Sequence, residues 1–485
     1  MDIRSIVGLK TRTSQRAPLS GAMALGTIAL FACAVVCPAP ALALTPQQQR
    51  AFDIYKELVE INTVTDTGDT GRAADAMAAR LIAAGFDSAD VQVFKPAPRK
   101  GNLVVRLRGT GAKRPILLVA HIDVVEALPS DWSFDPFKLT EKDGYFYGRG
   151  TGDDKYMAAT FVANLIRYKK ENFRPERDII LALETDEEIG DRDALGIQWL
   201  IKNHRDLIDA EFALNEGGGV GIKRGKLIRN SIQTSEKVYL NYRLEVRNKG
   251  GHSSVPSTDN AIYHLAEGLA RLGKFSFPVN LNATTRASFE RTAELENAET
   301  AADIRSVLST TPDPAALARL SANPTYNAQL RTTCVATMLE GGHAYNALPQ
   351  TARAVVNCRI MPGEKPDDIK AALVGVLADD QIAVTQMGDA KPSAPAVLDE
   401  ELLGIVEKTS AEFWPGVPIV PVMSAGATDG LFLRNAGIPT YGHSGLASDV
   451  DDVRAHGKDE RVAVKSFFEG GEYLYRLVKR LSGAK

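Results

Sequence analysis

Four short apolar runs, at 102–108, 116–120, 178–183 and 210–214, constrain this chain more than any other feature of it. Each has the length of a buried strand, and the stretches between them, notably 157–170 and 194–203, carry helical periodicity. Upstream, 46–62 and 71–85 also read as amphipathic helices, with Phe52, Tyr55, Leu58 and Val59 on one face of the first. Strands that alternate with helices predict an α/β domain with a largely parallel central sheet.

Around residue 237 the pattern changes. Residues 238–246 alternate like a half-exposed strand, followed by a helix at 261–272, a helical elaboration within 281–327, a hairpin over 332–360 and a helix at 366–377. That order predicts an α+β domain, its strands in a meander with helices to one side. From about 395 the α/β style returns, with a helix at 399–413 and an apolar run at 419–423. The expected division is therefore 44–236 and 395–485 for the larger domain, with 237–394 inserted into it. A chain of 485 residues, 44% hydrophobic, can bury two such cores. Its net charge of −3 gives no basic field for nucleic acid.

The first 43 residues are of another kind. Arg4, Lys10, Arg12 and Arg16 precede an uncharged run over 21–37, and Ala41-Leu42-Ala43 follows, the order of a secretory signal peptide. The expectation is export, periplasmic or secreted, with cleavage near Ala43. The run is short and ends in Pro38 and Pro40, which suits no stable membrane anchor. Of the four cysteines, Cys334 and Cys358 remain in the exported chain. They lie at equal distances from residue 346, so a hairpin would set them opposite each other, either as a disulfide or as two buried thiols.

Acidic residues and histidines fall directly after the predicted strands. His121-Ile122-Asp123 ends the run at 116, Glu187-Glu188 follows that at 178, and Glu216 closes that at 210. The carboxyl ends of strands are where open α/β sheets bind ligands. Asp153 and Asp154 sit in a glycine-rich loop before a helix, and His456 lies in Arg454-Ala455-His456-Gly457-Lys458-Asp459-Glu460. No Gly-x-Ser-x-Gly elbow or His-Glu-x-x-His helix is present, and acids at 153 and 154 would repel a phosphate from the glycine-rich loop.

His-x-Asp, Gly-Arg-Gly-x-x-Asp-x-Lys, Glu-Glu, Asn-Glu-Gly-Gly and a late His-x-x-Asp-Glu, in this order, resemble the co-catalytic zinc family of aminoacylase, carboxypeptidase G, acetylornithine deacetylase and succinyl-diaminopimelate desuccinylase. The wording around Tyr147 and Asn215 also looks like its carboxypeptidase S branch. The resemblance implies a zinc-peptidase-like catalytic domain and an inserted lid or dimerisation domain. It implies two Zn2+ per chain, with His121 and Glu216 on one, Glu188 and His456 on the other, and Asp153 as the bridge. Histidine nitrogen with carboxylate oxygen is a donor set suited to zinc. Glu187 is then the general base, Asp123 orients His121, and a cis peptide is expected at Asp153–Asp154.

The inserted domain resembles the family again in Gly250-Gly251-His252-Ser253-Ser254, whose histidine would donate to the scissile carbonyl, from the same chain or from the partner in a homodimer. Asn346 and Arg359 look like substrate-binding elements, and Thr428 would offer a donor to the same free carboxylate. His443 is expected to line the pocket, whereas His204, His264 and His343 read as structural. The function expected is hydrolysis of the amide bond of dipeptides or N-acyl amino acids beside a free carboxylate. The alternative is a metal-free peptide-binding protein of the same fold, which would have no use for Glu187.

Overall fold

The four apolar runs become neighbouring strands in the computed structural model, which describes residues 43–189 and 194–483. Ile116–His121 lies between Ile179–Glu184 and Phe212–Asn215, parallel to both, and Thr440–Gly442 extends the parallel centre. The expected export signal lies outside the described residues, Ala43 apart. Among the described residues no helix is long and apolar enough to cross a membrane.

The runs are apolar throughout because both faces of the sheet are covered. Ile116, Leu118 and Ala120 join a core with Ile179, Leu181 and Leu183. Leu117 and Val119 join a separate core, with Ile180 and Ala182, on the other face. Side chains of a strand alternate between faces, so a strand buried on both needs no polar positions. Helices Pro46–Glu60, Lys155–Lys170 and Val464–Leu481 supply the first core; Ile197–Asn203 and Gly430–Asn435 supply the second. The ten-stranded sheet turns antiparallel toward its ends, where Lys100–Leu107 pairs with Ile179–Glu184 and Val220–Lys223 pairs with Lys226–Glu236.

The chain leaves this sheet at Lys226–Glu236 and re-enters it through Ile419–Ser424, which pairs in parallel with the strand of departure. Between them lies a four-stranded antiparallel sheet, ordered Thr333–Gly341, Thr351–Ile360, Val238–Arg247, Ile382–Met387. Helices Ala261–Leu272 and Pro366–Leu377 cover it, with Leu240, Tyr242, Leu265, Val356 and Leu373 in the shared core. The sheet is not a meander: Val238–Arg247 sits in its interior, between the third strand in chain order and the last. The helical elaboration that separates the first two strands in sequence frees them from being neighbours. It comprises Ala283–Leu295, Ala298–Leu308, Pro314–Ala322 and Pro324–Leu330, gathered on a small core of their own that includes Phe289, Ile304 and Leu320.

Cys334 and Cys358 face each other in register on adjacent strands and form a disulfide. Residues from Leu44 onward make one compact unit.

Candidate metal centre

His121 ends its strand with the ring buried, and the Asp123 carbonyl 3.0 Å from Nδ1 accepts the N–H there. A donating Nδ1 leaves the Nε2 lone pair directed away from the backbone. Nε2 lies 3.0 Å from Asp153 Oδ1 and 4.0 Å from Glu216 Oε2. On the other side of Asp153, His456 Nε2 is 3.2 Å from Oδ2 and 2.9 Å from Glu188 Oε1. The two oxygens of one carboxylate thus face two different histidines, each accompanied by its own glutamate. Glu187 completes a cluster with His121 and Glu216 whose polar atoms fall within 4.8 Å of one another.

Hydrogen bonds to two buried carboxylates hold the turns that carry several of these side chains. The Asp123 carboxylate accepts the backbone N–H groups of Glu187 and Glu188 at 3.3 and 3.2 Å and the Thr65 hydroxyl at 3.2 Å. It stands 3.6 Å from His121 Nδ1. Asp123 therefore orients the imidazole through its carbonyl, while its carboxylate fixes the turn that carries the two glutamates. The loop bearing Asp153 wraps around another acid, Glu460. One oxygen of Glu460 accepts from the N–H groups of Gly152 and Asp153 at 2.7 and 3.1 Å; the other accepts from Gly150 N–H and Arg149 at 3.0 and 2.7 Å. Glu460 belongs to the same late loop as His456, so one buried carboxylate sets the spacing between bridge and ligand candidate. His456 itself takes a left-handed backbone, φ 61°, a conformation that clusters at functional sites. The Asp153–Asp154 peptide is cis.

The electrostatics report crowded negative charge. Burial, reinforced by the charge of Glu216, pushes Glu187 well above the ordinary carboxylate range; burial and the charge of Asp153 do the same to Glu216. Burial works against charge on Asp153 too, but its contacts with both histidines hold it below that range. Hydrogen bonds to Asp153 and Glu188 push His456 up to about 10. Two imidazoles cannot compensate this many carboxylates in a shared pocket. A donor set of nitrogen and anionic oxygen around such a surplus fits divalent cations of the zinc type.

The remaining expected residues divide. Arg359 and Thr428 line a cavity of about 410 Å³ together with Asp153, Glu188, Glu216 and His456. The Arg359 guanidinium lies over the Tyr239 ring, 4.6 Å from its centre. The Thr428 hydroxyl donates to Glu236 at 2.9 Å, so its proton is committed within the fold. His252 and Asn346 do not line this cavity. His252 is exposed, pairs through its backbone with Ala347, and holds Ser254 Oγ at 2.7 Å; the Asn346 carbonyl accepts from Ser253 N–H at 3.0 Å. Thus they stand together, outside the lining of that cavity.

His443 corrects the expectation of a pocket-lining residue. It is buried between the Ser231 carbonyl and the Tyr473 hydroxyl, at 2.9 and 2.6 Å, and burial pushes its pKa down to about 4. His264 is tied to Asp379 at 2.7 Å, and His204 packs on Phe94. Three residues to which the sequence assigned no role enter the picture: Glu460, the last residue of the late His-x-x-Asp-Glu motif, as described; Lys391, which shares the cavity with Arg359; and Gln233, which borders it beside Glu216.

Residues 117–480 match the family described as Peptidase family M20/M25/M40. Among curated proteins the chain is 29% identical over 375 residues to human N-fatty-acyl-amino acid synthase/hydrolase PM20D1, covering 76% of this chain and 74% of that one. It is likewise 29% identical over 377 residues to the probable carboxypeptidase S-like 2 of Dictyostelium discoideum, covering 76% and 71%. The fold matches the metallo-carboxypeptidase Sso-CP2 from Sulfolobus solfataricus with a TM-score of 0.64 at 18% identity, over 88% of this chain and 98% of that one. Human carnosine dipeptidase 1 superposes with a TM-score of 0.63 at 15% identity, over 90% and 96%.

Proposed function

We propose, starting from the fact that this chain belongs to peptidase family M20/M25/M40, that it is an exported hydrolase holding two zinc ions and cleaving the amide bond of dipeptides or N-acyl amino acids beside a free carboxylate. The observation that carries this reading is the position of Asp153, one oxygen toward His121 and the other toward His456 at 3.0 and 3.2 Å. In it, His121 and Glu216 would hold one cation, Glu188 and His456 the other, and Asp153 both. Bound there, the cations would polarise the scissile carbonyl and acidify the attacking water.

The protein's own groups do the rest. Glu187, next in chain to a ligand and clustered with His121 and Glu216, takes the proton from the attacking water and delivers it to the leaving nitrogen. Arg359, across the same cavity, receives the substrate carboxylate with its planar fork of donors, and Lys391 adds a second positive charge. Once the substrate is so oriented, only the oxyanion lacks a donor from the inserted domain.

His252 is assigned that part, supplied by closure or by a second copy. The edge strand Thr333–Gly341 is open along most of its length, with Val335, Met338 and Leu339 exposed, and an unpaired apolar edge invites a partner strand. A homodimer joined there is the reading we adopt. Metal analysis of the purified protein, together with hydrolysis of a panel of dipeptides and N-acyl amino acids with and without chelator, tests the whole. A metal-free protein with chelator-insensitive turnover would refute it.

A further inference from the structure

The carboxylate cluster borders a second cavity. A space of about 510 Å³ shares Asp153, Glu216, Gly217, Gln233 and Ser424 with the Arg359 cavity and is otherwise lined by other residues. It is of ligand size. Its floor is the strand Lys226–Glu236, where Arg229, Ser231 and Gln233 occupy alternate positions and so share one face. Part of its wall is apolar, from Val220, Val422 and Leu446, and its roof comes from the helical elaboration through Phe289, Thr292 and Tyr326. An amide bond at the cluster has two sides, so if Arg359 takes the amino-acid side, the acyl side extends into this space.

Arg229 gives that space a charge preference. Its guanidinium is half-buried and makes no hydrogen bond or ion pair among the described residues. The acids around it have other hydrogen-bond partners, and of them the charge of Glu296 also acts on Arg229. Glu296 accepts the Tyr326 hydroxyl at 2.8 Å and lies 3.6 Å from Lys223. Asp449 accepts the Asp451 N–H at 2.9 Å, Asp452 holds Arg454 and Arg461 at 2.7 and 2.6 Å, and Glu460 holds Arg149 at 2.7 Å. Burial draws the Arg229 pKa below its ordinary value, a cost that an incoming anion would offset. Four residues of extended strand, roughly 13 Å, separate Arg229 from Gln233 at the cluster, so the anion it meets lies several bonds from the scissile carbonyl.

We infer that Arg229 is a specificity-determining residue, selecting substrates whose acyl group runs under the helical elaboration and ends in a carboxylate. This rests on the amide-hydrolase reading above and adds the acyl half of the substrate to it. The test uses the zinc-loaded protein and matched pairs of N-acyl amino acids, N-adipoyl against N-hexanoyl and N-suberoyl against N-octanoyl. Wild type should favour the carboxylate-ended member of a pair in kcat/KM by about tenfold or more, and Arg229→Gln should erase that preference through KM while leaving the alkyl-ended member within roughly twofold. Calorimetry with free suberate should show binding to wild type and its loss in Arg229→Gln. Equal loss on both members, or a wild type that prefers the alkyl-ended one, overturns the assignment of Arg229 alone. Turnover of neither member overturns the hydrolase reading and this inference with it.

Discussion

The loops that gather His121, Asp153, Glu188 and His456 and the segments that carry His252 and Asn346 are built on opposite terms. In the first, two backbone turns are pinned by buried carboxylates, Asp123 under the glutamates and Glu460 under the glycine-rich loop. In the second, a two-residue pairing stands in solvent beside an unpaired edge strand. Pre-organisation matters most where charge must be held against burial, and a group that meets substrate on closure has to stay accessible until then. On the proposed function, the pinned region would set whether chemistry occurs and the open region when.

The contrast can be broken most directly at its most pinned point. Asp153→Ala should empty the centre, with metal analysis showing loss of the bound ions and turnover falling to that of the chelated protein. Retained stoichiometric metal would show that Asp153 bridges nothing. Glu187→Gln comes next: kcat should fall by about 10²- to 10⁴-fold while metal content holds, since only proton transfer is removed. In the open region, His252→Ala should cost about 10²- to 10³-fold in kcat, with KM and metal little changed. Mixing it with Glu187→Gln protein sharpens the comparison, because recovered turnover would place His252 and Glu187 of one working site on different chains. The smallest effect on turnover is expected from Cys358→Ser, which removes the disulfide and should lower stability by about 3 kcal/mol, read as a lower melting temperature with the metal sites intact. An unchanged melting temperature would mean that the hairpin needs no staple.

Much of the pinned region was legible because its residues come in short contiguous groups at strand ends: His121 with Asp123, Glu187 with Glu188, and Asp153 after its glycines. Period and apolar length alone located the strands that place them. What was not legible depends on distant pairs. Gln233 is a single polar residue with no local pattern, and the motif that Glu460 closes says nothing of the loop it anchors; their meaning comes from loops and cavities brought together late in the fold. His443 shows the converse. Its nearness to His456 in sequence suggested a pocket, but the strand Thr440–Gly442 carries it into the interior, where Tyr473 and Ser231 engage it. The helices of 281–327 were foreseen as elements, whereas their place above the second cavity was not, since no periodicity says which surface a helix will cover.

The grip of Glu460 on the glycine-rich loop also has a consequence for biogenesis. The fragment that a ribosome has made after the strands at 116, 179 and 212 already contains His121, Asp153, Glu188 and Glu216, yet neither the anchor of the loop nor the second imidazole. On the proposed assignment such an intermediate carries His121, Asp153 and Glu216 but lacks His456, so the second of the two cation sites would be incomplete. Completion of a two-cation centre would then follow synthesis of the loop that carries His456 and Glu460.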